Sequence, residues 1–410
     1  MSDMPYRVAM LSVHTSPLDS PGRTKDAGGM NVYMRELANA LSYYDVNVDI
    51  FTRWTDERQP KIIRLTPNVR VIHIQAGPFS PIHKNDIYPY LPAFVSNIEE
   101  FRCGDSVSYD VIHSHYWLSG VAGVQLAQHW DIPHITTFHT LAHLKQLANP
   151  QVAEPALRLE KERWLVQQVD GIGAATEQER TQLIRYYGAT AQQVMVIPCG
   201  VDLKLFTPRD RLQARTHLDL PLDGPLLLFA GRLDPFKGPD VLLRAAAMME
   251  EKAQLAIVGG KLTDDNDLQA LRMLAKELGI EKRVHFMGAR PQQELPWFYS
   301  AANITVVPSY HEIFGMVAVE SLACGTPVVA TRAGGLTTVV KHGKSGFLVP
   351  RCPGFFAERL DALLQAEELY ARLSSQARAS VLQFSWANVA SRVYDAYVDL
   401  VHESERLLAR

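Results

Sequence analysis

Two glutamates, Glu312 and Glu320, stand eight positions apart in the segment His311-Glu-Ile-Phe-Gly-Met-Val-Ala-Val-Glu320. Between Phe314 and Gly325 the only charged residue is Glu320, and the rest reads as a buried helix. A carboxylate in apolar surroundings costs several kcal/mol unless something hydrogen-bonds it. A ligand rich in hydroxyl groups would meet that need. The bland alternative is a single structural glutamate bonding the backbone. It is the less comfortable reading, because the segment offers Glu320 no local cation.

A second set of residues suits a diphosphate. Gly231-Arg-Leu-Asp-Pro-Phe-Lys-Gly238 follows an apolar run and precedes a helical pattern. Arg232 and Lys237 put two cations at one strand end, where charge-assisted hydrogen bonds contribute about 1.5–3 kcal/mol each. Alone, the pair would be read as solvated loop cations, and the segment lacks the G-K-[ST] ending of a P-loop. Gly28-Gly29 closes a polar loop and opens a helix, a position from which backbone N–H groups receive anions. Gly334-Gly335 lies at a similar turn in the second half. The N–H groups near Phe314, Gly315 and Met316, at a helix start, are further donors. The ligand these features imply together is a nucleotide sugar.

The histidines His113, His115, His139 and His143 invite a metal reading, since H-x-H and i,i+4 pairs occur in metal sites. No acidic ligands stand close by in sequence, and Asp264-Asp265-Asn266-Asp267 reads as a surface loop and helix cap. A catalytic metal is the minor reading. His139 suits a polar contact at a strand end. Trp297-Phe-Tyr299 has helical spacing and reads as core.

The elements that must position these residues follow from the apolar runs. In the first half the expected strands are Val8–Val13, Val46–Phe51, Val69–Ile74, Val111–His113, Ile135–Phe138, Gly171–Ala174 and Val194–Ile197. In the second they are Leu226–Ala230, Leu255–Val258, Val284–Phe286, Ile304–Val307 and Val328–Ala330. Helical patterns over Asn31–Ser42, Asp240–Met249, Asp267–Leu278, Glu294–Ala301 and Phe314–Ala323 alternate with them. From Phe355 to Arg410 the chain reads as mostly helix. Strand–helix alternation argues for parallel sheets covered on both faces, whose ligands sit outside the carboxyl ends of the strands. The stretch from Gly200 to Pro225 reads as an interdomain linker. The expected organisation is an α/β chain of two Rossmann-like domains, 1–205 and 206–385, facing across a cleft, with a helix over 386–410 crossing back to the first.

Composition bounds the function classes. The chain has 410 residues, 47% hydrophobic and 21% charged, with a formal net charge of −3; nothing in that balance advertises nucleic acid or an acidic membrane. The four cysteines form no C-x-x-C pair and read as free thiols in a reducing cytosol. The run after Met1 is too short for a signal-peptide core, and no run of eighteen apolar residues exists. A cytoplasmic location is expected.

Taken together, the chain resembles the retaining glycosyltransferases of family 4, which have the GT-B fold. The resemblance covers nearly the whole sequence. It is carried by the E-x7-E pair Glu312 and Glu320, by Arg232 and Lys237, by Ala323-Cys-Gly-Thr-Pro-Val-Val-Ala330 with Gly334-Gly335, and by Phe384-Ser-Trp-Ala. Within the family, the first half looks most like the members that glycosylate inositol phosphate in mycothiol synthesis. The matching phrases are Gly28-Gly-Met-Asn-Val-Tyr33, His113-Ser-His-Tyr-Trp-Leu-Ser-Gly120 and His139-Thr-Leu-Ala142. Sucrose-phosphate synthases share much of this grammar. His143-Leu-Lys-Gln146 stands where the inositol-phosphate enzymes usually have Lys-Val-Lys-Asn.

The resemblance implies transfer of glucose or N-acetylglucosamine from a UDP-sugar to a hydroxyl of a phosphorylated polyol or sugar, with retained configuration and a front-face mechanism. Arg232 and Lys237 would stabilise the leaving diphosphate and Gly28 and Gly29 would add backbone donors. Glu312 would orient the sugar, His139 would contact it, Glu320 would hold the ribose, and Arg290 would lie beside the base. Lys84, Tyr116, Thr140 and Arg158 would meet an acceptor phosphate, and Asn31 the polyol. No cofactor is expected for the chemistry, a divalent cation is at most an accessory, and no metal ligands are assigned. A homodimer, peripheral membrane attachment, a metal-dependent hydrolase and a non-catalytic nucleotide-sugar-binding protein remain open alternatives.

Overall fold

The computed structural model describes residues 6–19, 28–151, 153–262 and 266–408. Part of the polar loop after the first strand, and Asp264-Asp265, lie outside these residues.

The chain divides into two compact units. One holds residues 6–19, Gly29–Pro198 and the stretch from Trp386; the other holds Cys199–Ser385. In the first, β1 (Arg7–Ser12), β2 (Asn47–Arg53), β3 (Ile62–Thr66), β4 (Val69–Ile74), β5 (Val111–His115), β6 (His134–Thr137), β7 (Gly171–Ala174) and β8 (Val194–Val196) form one sheet in the order β3-β4-β2-β1-β5-β6-β7-β8. All its pairings are parallel except β3 with β4. The second sheet, β11-β10-β9-β12-β13-β14, is parallel throughout. It is built from β9 (Leu226–Ala230), β10 (Gln254–Val258), β11 (Val284–Gly288), β12 (Ile304–Val307), β13 (Val328–Thr331) and β14 (Gly346–Val349).

The central strands are buried on both faces, as the helical crossovers of a parallel sheet require. Val8 to Leu11 and Leu226 to Leu228 are at most 1% exposed. The two strands not expected from sequence are the weakest in pattern. β3 is an edge strand with Arg64 inside it and alternating exposure. β14 is four residues long and begins with glycine.

The expected linker is packed structure. Helix Arg211–His217 lies within it and Phe206 is fully buried. The Arg378 guanidinium donates to the carbonyls of Leu203, Phe206 and Ala323. These bonds tie 203–206 to the second unit, so the break falls at Pro198 rather than at 205. The chain then returns to the first unit as helix Trp386–Leu408, which packs on helix Gly29–Leu41.

Each sheet reverses its strand order once. In the first the reversal lies between β1 and β5, and in the second between β9 and β12. Such switch points open crevices at the carboxyl ends of strands. The loops leaving β9 and β12 carry Arg232, Lys237 and Glu312; Tyr116 directly follows β5, and Asn31 stands in the first turn of the helix after β1.

Candidate active site

In the second unit, Lys237 and Glu312 come from the loops after β9 and β12 and meet directly, with Nζ to Oε1 at 2.6 Å. Ser309 Oγ donates to the same oxygen at 2.8 Å. Burial alone would raise the Glu312 carboxyl, but the Lys237 charge and these hydrogen bonds outweigh it and hold Glu312 below the usual carboxylate range. Arg232, nearly half exposed, lies 3.2 Å from Asp234 through Nε. Asp234 also accepts from the Phe236 and Lys237 amides, which folds the loop back on itself.

The Glu312 loop is fixed by Gly334-Gly335. The Gly335 amide donates to the Glu312 carbonyl at 2.7 Å. A Cβ on Gly334 would stand 2.1 Å from the Glu312 carbonyl oxygen, and one on Gly335 would stand 2.2 Å from that of Ile313. The close approach these glycines permit on the Cβ side is to the protein's own backbone. Gly315 has φ +101°, where side chains are strained. It caps helix Met316–Ala323, which starts two residues later than expected. Phe314 is buried edge-on against Phe384.

Glu320 sits inside that helix and is 6% exposed. Its partner is Tyr299, whose hydroxyl donates to Oε2 at 2.7 Å. Sequence reading placed Tyr299 in the core, where it is, but missed this role; a core tyrosine must hydrogen-bond its hydroxyl somewhere. Burial pushes the Glu320 carboxyl up to about 7, with Tyr299 and Gln292 opposing it. Arg290, after β11, is held by its Nε to the Met287 carbonyl at 3.0 Å and by Glu294 at 3.4 Å. It also lies 5.9 Å from the Phe298 ring.

In the first unit, Gly29 begins helix Gly29–Leu41; a Cβ on the half-buried Gly28 that precedes it in sequence would meet no atom within 4 Å. Asn31 is buried, and its Nδ2 donates to Thr15 Oγ1 at 2.7 Å and to the Ser16 carbonyl. It thereby pins the loop after β1. Tyr116, Thr140 and Arg158 gather around one guanidinium. Arg158 Nη2 donates to the Thr140 carbonyl at 2.9 Å, and its Cζ lies 4.9 Å from the Tyr116 ring centre.

Arg158 is also only 2% exposed and bonded to Glu162 at 2.7 Å and Glu154 at 2.8 Å. Burial opposes its charge, but the two carboxylates keep it. Both lie four residues from Arg158 in sequence, a helical spacing that could have revealed them. Lys145 also pairs with Glu154. The four charges of this cluster balance. Lys84 begins a short 3-10 turn whose N-cap is His83, and it is half-buried.

His139 follows β6 with φ +57°, and Tyr116 follows β5 with φ +74°. The other described non-glycine residues with positive φ, namely Asp45, Ser106, Asp131 and Asp219, lie at or just past helix ends. Tyr116 instead precedes a helix as its N-cap and His139 lies in the loop after β6, and strained backbone of this kind collects at functional sites. His139 Nε2 lies 2.9 Å from His115 Nδ1. The His113 nitrogens are engaged by Tyr397 at 2.7 Å and Thr137 at 2.9 Å. Burial lowers the pKa of all three histidines. Among the described residues, no three His, Cys, Asp or Glu side chains are grouped to hold a metal ion. No helix among them is long and apolar enough to cross a membrane.

Comparison with known proteins identifies the family. Residues 27–205 match the family model described as Glycosyltransferase Family 4, and residues 210–380 that described as Glycosyl transferases group 1. The D-inositol 3-phosphate glycosyltransferase of Xylanimonas cellulosilytica is 44% identical over 95% of this chain and 96% of its own. That of Corynebacterium jeikeium is 42% identical over 98% and 99%. Among solved structures, sucrose-phosphate synthase from Thermosynechococcus elongatus superposes with a TM-score of 0.90 at 36% identity, covering 97% of this chain and 100% of that one. Two α/β units built on largely parallel sheets, matched by these family models and by relatives of this identity over nearly the whole chain, make it a member of the family 4 glycosyltransferases with the GT-B fold.

Proposed function

We propose that the enzyme moves glucose or N-acetylglucosamine from a UDP-sugar to a hydroxyl of an inositol phosphate, with retention of anomeric configuration and without a metal in the chemical step. The observation that carries the donor half is the joining of Lys237 to Glu312 after β9 and β12. A cation and a carboxylate held together suit a diphosphate and a sugar hydroxyl at adjoining positions. Arg232 and Lys237 stabilise charge as it builds on the departing diphosphate, the kind of preorganised electrostatics that dominates many enzymes. The Gly28-Gly29 amides and the Gly315 and Met316 amides add neutral donors. Glu312 orients the sugar, Glu320 accepts from the ribose, and Arg290 lies beside the base. His139 is assigned a hydrogen bond to a hydroxyl of the transferred sugar.

In the step itself, the acceptor oxygen bonds to the anomeric carbon on the face from which the diphosphate leaves. The carbon–oxygen bond to the phosphate breaks, and the acceptor's proton passes to the phosphate oxygen. No protein nucleophile takes part. The acceptor is assigned from the relatives named D-inositol 3-phosphate glycosyltransferase, whose likeness spans almost the full chain. Lys84, Tyr116, Thr140 and Arg158 are assigned to its phosphate and Asn31 to its ring.

A second acceptor, fructose 6-phosphate, is favoured by the likeness to sucrose-phosphate synthase. Either acceptor carries a phosphate into a cluster where Glu154 and Glu162 already neutralise Arg158 and Lys145.

The test is a matrix of UDP-glucose and UDP-N-acetylglucosamine against inositol phosphate, fructose 6-phosphate and their unphosphorylated forms. Product mass is read by mass spectrometry and anomeric configuration by NMR. Turnover confined to inositol phosphate with retained configuration is expected. Turnover only with fructose 6-phosphate replaces the acceptor assignment, and an inverted product removes the front-face mechanism.

A further inference from the structure

The chemistry assigned above leaves His115 without a task, although it is fully buried and holds one end of the bond to His139. A 2.9 Å contact between two neutral imidazole nitrogens contains one proton. Which ring carries it decides what His139 offers a ligand. Burial keeps both rings uncharged at neutral pH.

The other nitrogen of His115, Nε2, is buried and has no hydrogen-bond partner. A buried N–H without an acceptor is rarer, and costs more, than an acceptor whose lone pair is unused. Besides His139, the rings packed against the His115 imidazole are His113, with centroids 4.3 Å apart, and Tyr33, at 5.8 Å and 63°. The proton of His115 therefore belongs on Nδ1, from which it is donated to His139 Nε2. With Nε2 accepting, neutral His139 must carry its own proton on Nδ1.

We infer that His115 is a positioning residue that fixes His139 as the Nδ1–H tautomer, so that His139 serves the sugar as a hydrogen-bond donor and not as a proton acceptor. The inference rests on the assignment of His139 to the transferred sugar, and it deepens that assignment. Tyr33 packs edge-on against both imidazoles, at 5.1 Å from His139, and holds their planes. A donor at this place pairs with an intact sugar hydroxyl oxygen and leaves the acceptor's proton to the diphosphate.

The full-length protein labelled with 15N-histidine, studied by long-range proton–nitrogen NMR, tests this directly. His139 is identified by the signal lost in His139→Ala. The expected spectrum has a protonated Nδ1 and a bare Nε2 on His139, unchanged between pH 6 and pH 8. A protonated Nε2 on His139, which would place the His115 Nε2 proton against Tyr33, overturns the inference.

In His115→Leu the bias should vanish and kcat/KM should fall about tenfold, the size of one hydrogen bond. His115→Asn, whose amide can donate from the same place, should recover activity to within roughly threefold. An unchanged His139 tautomer in folded His115→Leu removes the positioning role. Full activity of His139→Ala, with the Nδ1–H spectrum intact in the parent enzyme, would instead remove only the sugar contact.

Discussion

Glu312 and Glu320 belong to one short segment and experience opposite environments. Glu312 lies on a loop, beside a lysine from another strand, and is held ionised. Glu320 lies eight residues on, inside a helix, with a tyrosine hydroxyl in place of a cation and a carboxyl pushed up to about 7. The contrast shows that burial does not set the charge of a carboxylate by itself; the partner does. It also divides the labour. In the proposed mechanism the Lys237–Glu312 ion pair acts on charge that changes during reaction, while Glu320, near neutrality, acts as a switchable acceptor for hydroxyl groups.

Breaking the ionised side should have the largest effect. Lys237→Ala removes the leaving-group cation and strands Glu312 without its counter-ion. An expected drop of about 10²–10³-fold in kcat/KM follows, checked by steady-state release of UDP alongside a thermal melt. Near-normal turnover in folded protein would dissolve the distinction between the two glutamates.

Next in size is Glu320→Gln, which should raise the KM for the nucleotide sugar roughly tenfold or more, with kcat changed far less. An equal loss in kcat would put Glu320 with Glu312 instead.

The pH dependence sharpens the comparison because two signs oppose. In the proposed binding mode ribose hydroxyls donate to an ionised Glu320, so kcat/KM for the donor should rise as pH increases through about 7. Stability should move the other way. The folded protein keeps a proton that the unfolded chain releases near 4.5, so stability falls as pH rises from 4.5 to about 7, by roughly 3 kcal/mol. Glu179, also buried and pushed up to about 7, adds the same slope. Glu320→Gln should therefore reduce the slope in denaturant titrations at several pH values without abolishing it.

The smallest effect belongs to Tyr299→Phe. Losing the hydroxyl should move the acid limb of the donor kcat/KM profile to higher pH and raise KM about two- to tenfold. An unshifted limb would show that the titrating group is not Glu320.

Much of this was legible in the chain. Val69–Ile74, Gly171–Ala174, Leu226–Ala230 and Ile304–Val307 are strands with the expected bounds, because a strand buried on both faces leaves a mostly apolar run. β3, an edge strand interrupted by Arg64, left a poorer one, and β14 is only four residues long and begins with glycine. Glu312, Glu320, Arg232 and Lys237 stood out because charge beside apolar runs is costly. Tyr299 and Glu154 did not, since a tyrosine in a core and a glutamate just ahead of a helix each have ordinary uses, and His115 drew only a metal reading.

Local pattern thus determined which segments are strands and which residue types follow them, for burial and periodicity act over a few positions. Tertiary structure alone decided the pairings: Lys237 with Glu312 across 75 positions, His115 with His139 across 24. Strand order brings such loops together at a switch point, and strand order is fixed by how crossovers pack, which no single segment encodes.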